Sequence, residues 1–314
     1  MSRIVIYGAA GFVGSTLLTD PRLPRAALTL VDKGPIPPSV LVSLRQAGNS
    51  VDAIQSSSLR GIAANEADAL LVLAGQTDVD QALGNPVLAF ETNMAIAVTA
   101  AEWWRQHPQA RLVYLSSDEV LGASNIPLDE DAPLAPTQPY AASKAAAEMT
   151  LRCYGQSYGL ELVIIRSCNL VGGRQRARKL IPTAVQNLAA GLPVPIFGDG
   201  LHLREYLAVE DLCEVVRRAL TRTLPAGVYH CSSGIALKTT DVVGLIAKAL
   251  TVEPTLAYVQ DRLVHDRYYA MDAAKLKAHG WKPLVSPAHA IAAAAIEMRS
   301  AWSKGEVLTE KREA

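Results

Sequence analysis

The chain has 314 residues, half of them hydrophobic, which supplies a sizeable core and excludes wholesale disorder. Thirty Lys and Arg against 30 Asp and Glu leave a formal net charge of zero, so neither nucleic acid nor an anionic membrane is expected as a general partner. Cys153, Cys168, Cys213 and Cys231 lie far apart with no C-x-x-C pair and no histidine at metal spacing, which predicts reduced thiols in a cytoplasmic protein, no disulfide framework and no metal site.

Met1-Ser2-Arg3 leads straight into a first strand, Ile4–Tyr7, with no apolar leader before it. Gly8-Ala9-Ala10-Gly11-Phe12-Val13-Gly14 follows at once and opens a helix over Phe12–Leu18. Glycines there allow a tight turn and a close backbone approach to a pyrophosphate, whose charge a helix N-terminus favours. The next strand, Leu28–Val31, ends at Asp32, 18 residues past Gly14. An acid at that point accepts hydrogen bonds from ribose hydroxyls and repels a 2′-phosphate, so NAD is favoured over NADP, with Lys33 working against that preference. Residues 34–65 hold Pro35, Pro37, Pro38 and a Ser56-Ser57-Ser58 run, and give only a weak strand near Val51–Gln55.

Ala69–Leu73, Leu112–Leu115 and Leu162–Ile165 are again short apolar strands, and Val87–Arg105 and Ala141–Tyr158 have helical length. Strands apolar on both faces, alternating with helices, predict an α/β fold: a Rossmann-type doubly wound parallel sheet. No run approaches the roughly 18–20 apolar residues of a membrane span. After residue 168 Pro and Gly cluster and helices shorten, as in Val209–Thr221 and Thr240–Leu250. The division expected is a dinucleotide-binding domain over 1–168 and a smaller mixed region over 169–314, interleaved with the first and ending in a frayed tail from Lys304 to Ala314.

Tyr140-Ala141-Ala142-Ser143-Lys144 puts a phenol and an ammonium on one helical face. A nearby cation favours phenolate and lowers the pKa of a tyrosine acting as general base. The helix follows a strand that ends in Leu115-Ser116-Ser117-Asp118-Glu119, and in a parallel sheet that end faces the cofactor crevice.

Together these residues resemble the extended short-chain dehydrogenase/reductase family, and within it the nucleotide-sugar 4,6-dehydratases. The resemblance runs from Gly8 to about Trp302. It includes Glu91-Thr92-Asn93, Pro139–Lys144, Lys179-Leu180-Ile181-Pro182, Pro195-Ile196-Phe197-Gly198, Val209-Glu210-Asp211, and His265-Asp266-Arg267 followed by Gly280-Trp281-Lys282-Pro283. It implies bound NAD, with Ala74, Gly75 and Thr92 beside it as well as the glycine turn, Tyr140 and Lys144. Tyr140, aided by Lys144 and Ser117, would take the C4 hydroxyl proton while hydride passes to NAD. Glu119 would then remove the C5 proton as Asp118 protonates the departing C6 hydroxyl, and hydride would return to C6. An epimerase of the same family needs only the Ser and the Tyr, so the acids of Ser117-Asp118-Glu119 discriminate between the two; a keto-sugar reductase and an NAD-sensing protein without turnover rank lower. The resemblance further implies a nucleotide diphosphate sugar held by Thr77, Asn93, Asn169, Lys179, Leu180, Pro195, Phe197, Arg204, His230, Arg262 and His265. It also implies a homodimer built on the helices near Val87–Gln106 and Ala141–Tyr158. Arg174 and Arg176 read as a solvated basic loop. Departures from the family pattern are Asp78 for a usual His, Leu121 for Tyr, His230 for Asn and Ala208 for an aromatic, and Asn169-Leu170-Val171-Gly172 lacks the usual paired Asn and Tyr. They suggest altered walls around an unusual sugar. His107, His202, His279 and His289 read as surface or packing residues, and Trp103-Trp104 as core or subunit interface.

Overall fold

The computed structural model describes residues 1–62, 66–175 and 178–304; Arg176 and residues 305–314 of the expected tail lie outside them. The first half runs β1 (Ser2–Tyr7), α1 (Phe12–Thr19), β2 (Ala26–Asp32), α2 (Pro38–Gln46), β3 (Ser50–Gln55) and β4 (Ala69–Val72). It continues through α3 (Val79–Gly84), α4 (Pro86–Gln106), β5 (Arg111–Ser117), β6 (Ser124–Leu128), α5 (Pro139–Tyr158) and β7 (Leu162–Ser167). The second half runs β8 (Asn169–Val171), α6 (Leu180–Ala189), β9 (Val194–Phe197), β10 (Leu203–Ala208), α7 (Val209–Leu220), β11 (Gly227–Cys231) and β12 (Ala236–Lys238). It closes with α8 (Thr239–Leu250), β13 (Leu256–Val259), β14 (Tyr269–Met271), α9 (Ala274–Ala278) and α10 (Pro287–Ser303).

Seven strands form one sheet in the order β3-β2-β1-β4-β5-β7-β11, and every pairing is parallel. The two-residue period of the strands explains why it is covered on both sides. Ile4, Ile6, Leu28, Leu30, Leu71 and Val113 share one cluster with Val13 and Leu17 of α1 and Leu212 and Val216 of α7. Val5, Tyr7, Val31, Leu70, Val72 and Tyr114 share the other with Ala97, Ala101 and Trp104 of α4 and Ala147 and Leu151 of α5. Trp103 and Trp104 are core: both are buried, and their indole N–H groups donate to the Ile62 and Ala110 carbonyls. Strand order reverses between β1 and β4, which opens a crevice over the C-terminal ends of the strands there.

The second half builds its own core from α6, α8 and α10 around β9 and β10, with Ile181, Val185, Ile196, Ile246, Ile291 and Met298 inside. Its sheet β12-β10-β8 is mixed, since β10 runs parallel to β8 and antiparallel to β12. The chain then crosses back: β11 pairs with β7 on the large sheet, and α7 packs on α1 and β5. The short β6–β14 pair also joins the two halves.

A buried ion pair fixes α5, the helix that carries Tyr140 and Lys144. Glu148 and Arg166 of β7 are both fully buried and bonded twice, at 2.6 and 3.2 Å. Ser116 donates to Glu148 at 3.0 Å, and the Arg166 guanidinium reaches His230 Nε2 at 3.2 Å. Satisfying every charged atom is what makes such a pair tolerable in a low-dielectric interior. The helix starts at Gln138, whose side chain accepts the Tyr140 N–H at 2.8 Å, and ends at left-handed Gly159. All four cysteines are free. Among the described residues no helix is long and apolar enough to cross a membrane.

Candidate active site

The glycine turn sits where the sheet order reverses. Gly8 has φ +93°, and a Cβ there would lie 2.4 Å from the Ala74 backbone nitrogen, so only glycine lets β1 and the end of β4 approach so closely. A Cβ on Gly14 would meet the Gly8 and Ala9 carbonyl oxygens at 2.5 Å, so that glycine lets α1 pack on the turn. Gly11 precedes the first helical residue, Phe12, with no side-chain cap; Phe12 is half-buried and Val13 buried. Asp32, buried at the end of β2, accepts the Ala10 N–H at Oδ2 and the Gly34 N–H at Oδ1, both at 2.9 Å. Each carboxylate oxygen keeps a second lone pair for a hydroxyl donor. Lys33 is exposed, and its carbonyl accepts from Gln55.

The acid–base group assembles on the C-terminal end of β5. Ser117 ends the strand and caps a 3₁₀ turn, Asp118–Leu121, that presents the two acids. Asp118 is buried: its Oδ1 accepts from the Ser117 hydroxyl and the Glu119 N–H at 3.0 Å, and its Oδ2 has no hydrogen-bond partner. Burial, then repulsion from Glu119, pushes the Asp118 carboxyl up to about 7. Glu119 is half-buried and held by Gln138, whose Nε2 donates to it at 2.5 Å. Burial raises its pKa, while Lys179, Arg204, Gln138 and Arg262 pull the other way.

Lys144 is buried, donates to the Leu115 carbonyl at 2.7 Å and stands 4.3 Å over the Tyr114 ring. Burial lowers its pKa to about 7. The expected depression of the Tyr140 pKa is not found. Burial and then the Glu119 carboxylate raise it, opposed by the Ser117 hydroxyl, and Lys144 is spent on the strand carbonyl and the Tyr114 face. Gly75 is exposed beside this group, where a Cβ would stand 3.9 Å from Lys144 Nζ, while Ala74 and Thr92 are half-buried.

Asn93 is buried and fully engaged. Its Oδ1 accepts the Gln76 N–H at 2.9 Å, and its Nδ2 donates to Ser143 Oγ at 2.8 Å and the Gln76 carbonyl at 3.2 Å. It ties α4, the loop after β4 and α5 together, so here it holds the frame.

The cationic side is looser. Lys179 donates to the Thr77 carbonyl at 2.6 Å. Arg262 is bonded to Asp80 at 2.5 and 2.9 Å, stacks 4.6 Å over Phe197 and lies 3.5 Å from His265. Arg204 stacks 4.6 Å over Tyr269, and Asn169 donates to the Glu205 carbonyl at 3.3 Å. Leu180 opens α6 and Pro195 lies in β9, both half-buried. His230 stands apart: it is fully buried in the Arg166 network and burial lowers its pKa to about 4. Of the other departures, Leu121 and Ala208 sit in core clusters, while Asp78 caps α3 through the Gln81 N–H at 3.0 Å and lies 3.7 Å from Arg178. Arg174 is exposed and donates to the Ser15 carbonyl.

Sequence reasoning missed Gln138, which positions both Glu119 and the start of α5, and Glu205, buried and bonded to Ser232 and Tyr268. The Gln-Pro-Tyr string was a legible helix-cap signal. Nothing local marks Glu205.

A parallel sheet whose switch point carries a glycine turn on one strand and Ser, Tyr and Lys around another defines an extended short-chain dehydrogenase/reductase. Residues 4–231 match the NAD dependent epimerase/dehydratase family, and the chain belongs to it. It is 34% identical over 289 residues to a dTDP-glucose 4,6-dehydratase of Streptomyces antibioticus, covering 87% of this chain and 85% of that one. The solved dTDP-glucose 4,6-dehydratase DesIV of Streptomyces venezuelae, with NAD bound, superposes with a TM-score of 0.88 at 29% identity over 96% of this chain and 98% of that one. The UDP-glucose 4-epimerase of Thermus thermophilus, in complex with NAD, superposes with a TM-score of 0.85 at 27% identity over 95% and 99%.

Proposed function

We propose that the chain is an NAD-dependent nucleotide-sugar 4,6-dehydratase that converts a nucleoside diphosphate hexose to its 4-keto-6-deoxy product. The observation that carries this reading is the pair of acids after Ser117. One is buried, short of a hydrogen-bond partner and held up to about 7; the other is half-buried and surrounded by cations. Two raised carboxyls in unlike surroundings, one buried with an unpaired oxygen and one facing cations, suit an acid and a base, and water elimination needs both.

The residues present fit NAD. The glycine cradle is one that a Cβ at Gly8 or Gly14 would fill, and the buried Asp32 carboxylate lies at the end of β2 beside it. NAD bound there supplies the hydride acceptor at C4 and the donor at C6. Tyr140 receives the C4 hydroxyl proton, with Ser117 steering the same hydroxyl and the Lys144 ammonium, anchored on the Leu115 carbonyl, beside the cofactor. Glu119 takes the C5 proton, made acidic by the C4 ketone, and Asp118 donates to the leaving C6 hydroxyl. Lys179, Arg204 and Arg262 face the diphosphate, with Phe197 under Arg262 and His265 beside it; Thr77, Asn169, Leu180 and Pro195 line the approach. The active species is a homodimer through α4 and α5, which pack together and leave Val87, Phe90, Val98 and Met149 exposed.

The test incubates the purified protein with UDP-, dTDP-, GDP- and CDP-hexoses without added reductant and follows product mass. Loss of one water with solvent deuterium at C5 is expected. Unchanged mass with a new epimer would overturn the dehydratase reading and make the two acids substrate ligands of an epimerase.

A further inference from the structure

We propose that His202, Asp261 and His265 form a binding site for one zinc-class divalent ion, which clips the β9–β10 turn to the segment carrying Arg262. His202 lies between β9 and β10, whereas Asp261 and His265 lie between β13 and β14. The fold brings a donor atom from each within 4.8 Å of the other two. The two imidazole rings stack with centroids 3.5 Å apart and planes at 13°. Both present a nitrogen to one carboxylate: His202 Nε2 is 3.7 Å from Asp261 Oδ2, and His265 Nδ1 is 2.6 Å from Asp261 Oδ1.

His202 is the observation that a packing role leaves unexplained. It is 3% exposed, yet its Nδ1 has no hydrogen-bond partner and its Nε2 meets Asp261 at a distance too long for a hydrogen bond. A buried imidazole nitrogen left without a partner, as Nδ1 is here, is costly. An ion on Nε2 would use that lone pair. It would also fix the proton on Nδ1, which faces Asp199 Oδ1 at 3.9 Å, so a small closure completes the carboxylate–histidine–metal arrangement common at zinc centres.

The donor set selects the ion class. Two imidazoles and one carboxylate suit zinc, cobalt or nickel and not magnesium or calcium, which take oxygen ligands. Bonds of about 2.0–2.1 Å put tetrahedral ligands about 3.3 Å apart, so the widest pair closes by at most about 1.5 Å, the Asp261–His265 pair opens by about 0.7 Å, and the fourth position stays open. The surrounding charge permits it. Arg267 is paired with Asp199 and Arg262 with Asp80, whereas Asp261 has no guanidinium partner among the described residues. An ion on His265 Nδ1 would put that ring's proton on Nε2 and so end its 3.5 Å contact with Arg262, which stays paired with Asp80. The site is separate from the sheet-edge acids, and its test needs no turnover.

The test strips the full-length protein with chelator and titrates it with CoCl₂ and then ZnCl₂, reading cobalt d–d absorption and zinc stoichiometry by competition with a chromogenic chelator. One ion per chain is expected, with tetrahedral cobalt bands that zinc abolishes. His202→Gln and Asp261→Asn, each verified as folded by circular dichroism, should weaken binding at least ~10-fold. Zinc should raise the melting temperature of the parent protein alone. No saturable cobalt spectrum in the parent protein, or binding that both variants retain, would overturn the proposal and leave a stacked histidine pair.

Discussion

The two sides of the crevice are built on opposite terms. On the sheet side, Ser117, Asp118, Tyr140 and Lys144 are buried, and each hangs from a strand end or a helix that the core locks in place. On the other side, Lys179 and Arg262 lie in loops and Arg204 near the start of the short strand β10, half-exposed and satisfied by carbonyls, a ring face and a surface acid. The first side has fixed geometry and displaced pKa values; the second has charges whose present partners an incoming anion can replace. Chemistry wants the former and binding tolerates the latter.

The largest expected effect lies on the rigid side. Tyr140→Phe should lower kcat by ~10²–10⁴-fold, the usual worth of a positioned acid–base group. Substrate affinity, measured by calorimetry, should stay within a few-fold, and a comparable loss of binding would mean that the phenol belongs to the binding side. Glu148→Ala tests the rigidity itself. It strands Arg166 in the core and should destabilise the fold by about 3–5 kcal/mol in denaturant unfolding, as breaking a buried pair does. A change below about 1 kcal/mol would show that water or another group replaces the carboxylate.

Next comes the division of labour between the acids. Glu119→Gln should slow water loss by ~10²-fold or more while leaving C4 oxidation visible as reduced-nicotinamide absorbance in single turnovers. The pH profile separates its partner. Asp118 must be protonated to donate, and with its carboxyl held up to about 7 it carries that proton below pH 7 and loses it above. Lys144 also loses its charge around pH 7. The alkaline limb should therefore fall steeply, by more than about tenfold per pH unit, and flatten to about tenfold in Asp118→Asn. An unchanged limb in that variant would remove Asp118 from the proton transfer.

What the sequence disclosed follows the same contrast. Gly8–Gly14, Ser117–Glu119 and Tyr140–Lys144 are contiguous strings on strong apolar strands and long helices, so pattern alone places them on one sheet edge. The Glu148–Arg166–His230 network and the contact of His202 with Asp261 and His265 join elements 18 to 64 positions apart, and no local pattern reports such meetings. The three-residue strands β8, β12 and β14 are shorter than any periodicity test can use. Resemblance puts His230 with the substrate, yet the pairing of β11 with β7 turns it into the core. The Tyr140 shift also runs opposite to expectation: helical spacing puts Lys144 on the same face but does not report the burial and the Glu119 charge that raise the phenol.

The smallest expected effect belongs to the adaptable side and tests whether its ion pairs are placeholders. Arg262 is bonded by Nε and Nη2 to Asp80, a half-exposed acid, directly over the Phe197 ring. A nucleotide diphosphate approaching Arg262 must displace that carboxylate, and an exposed pair of this kind is worth about 0.2–1 kcal/mol. Asp80→Asn removes the competitor without removing the guanidinium, so nucleoside diphosphate affinity should rise by up to about fivefold at low salt and converge on the parent value as salt screens both. Weaker binding in this variant would mean that Asp80 orients Arg262 for the phosphate and does not compete with it, which would make the second side of the crevice as preorganised as the first.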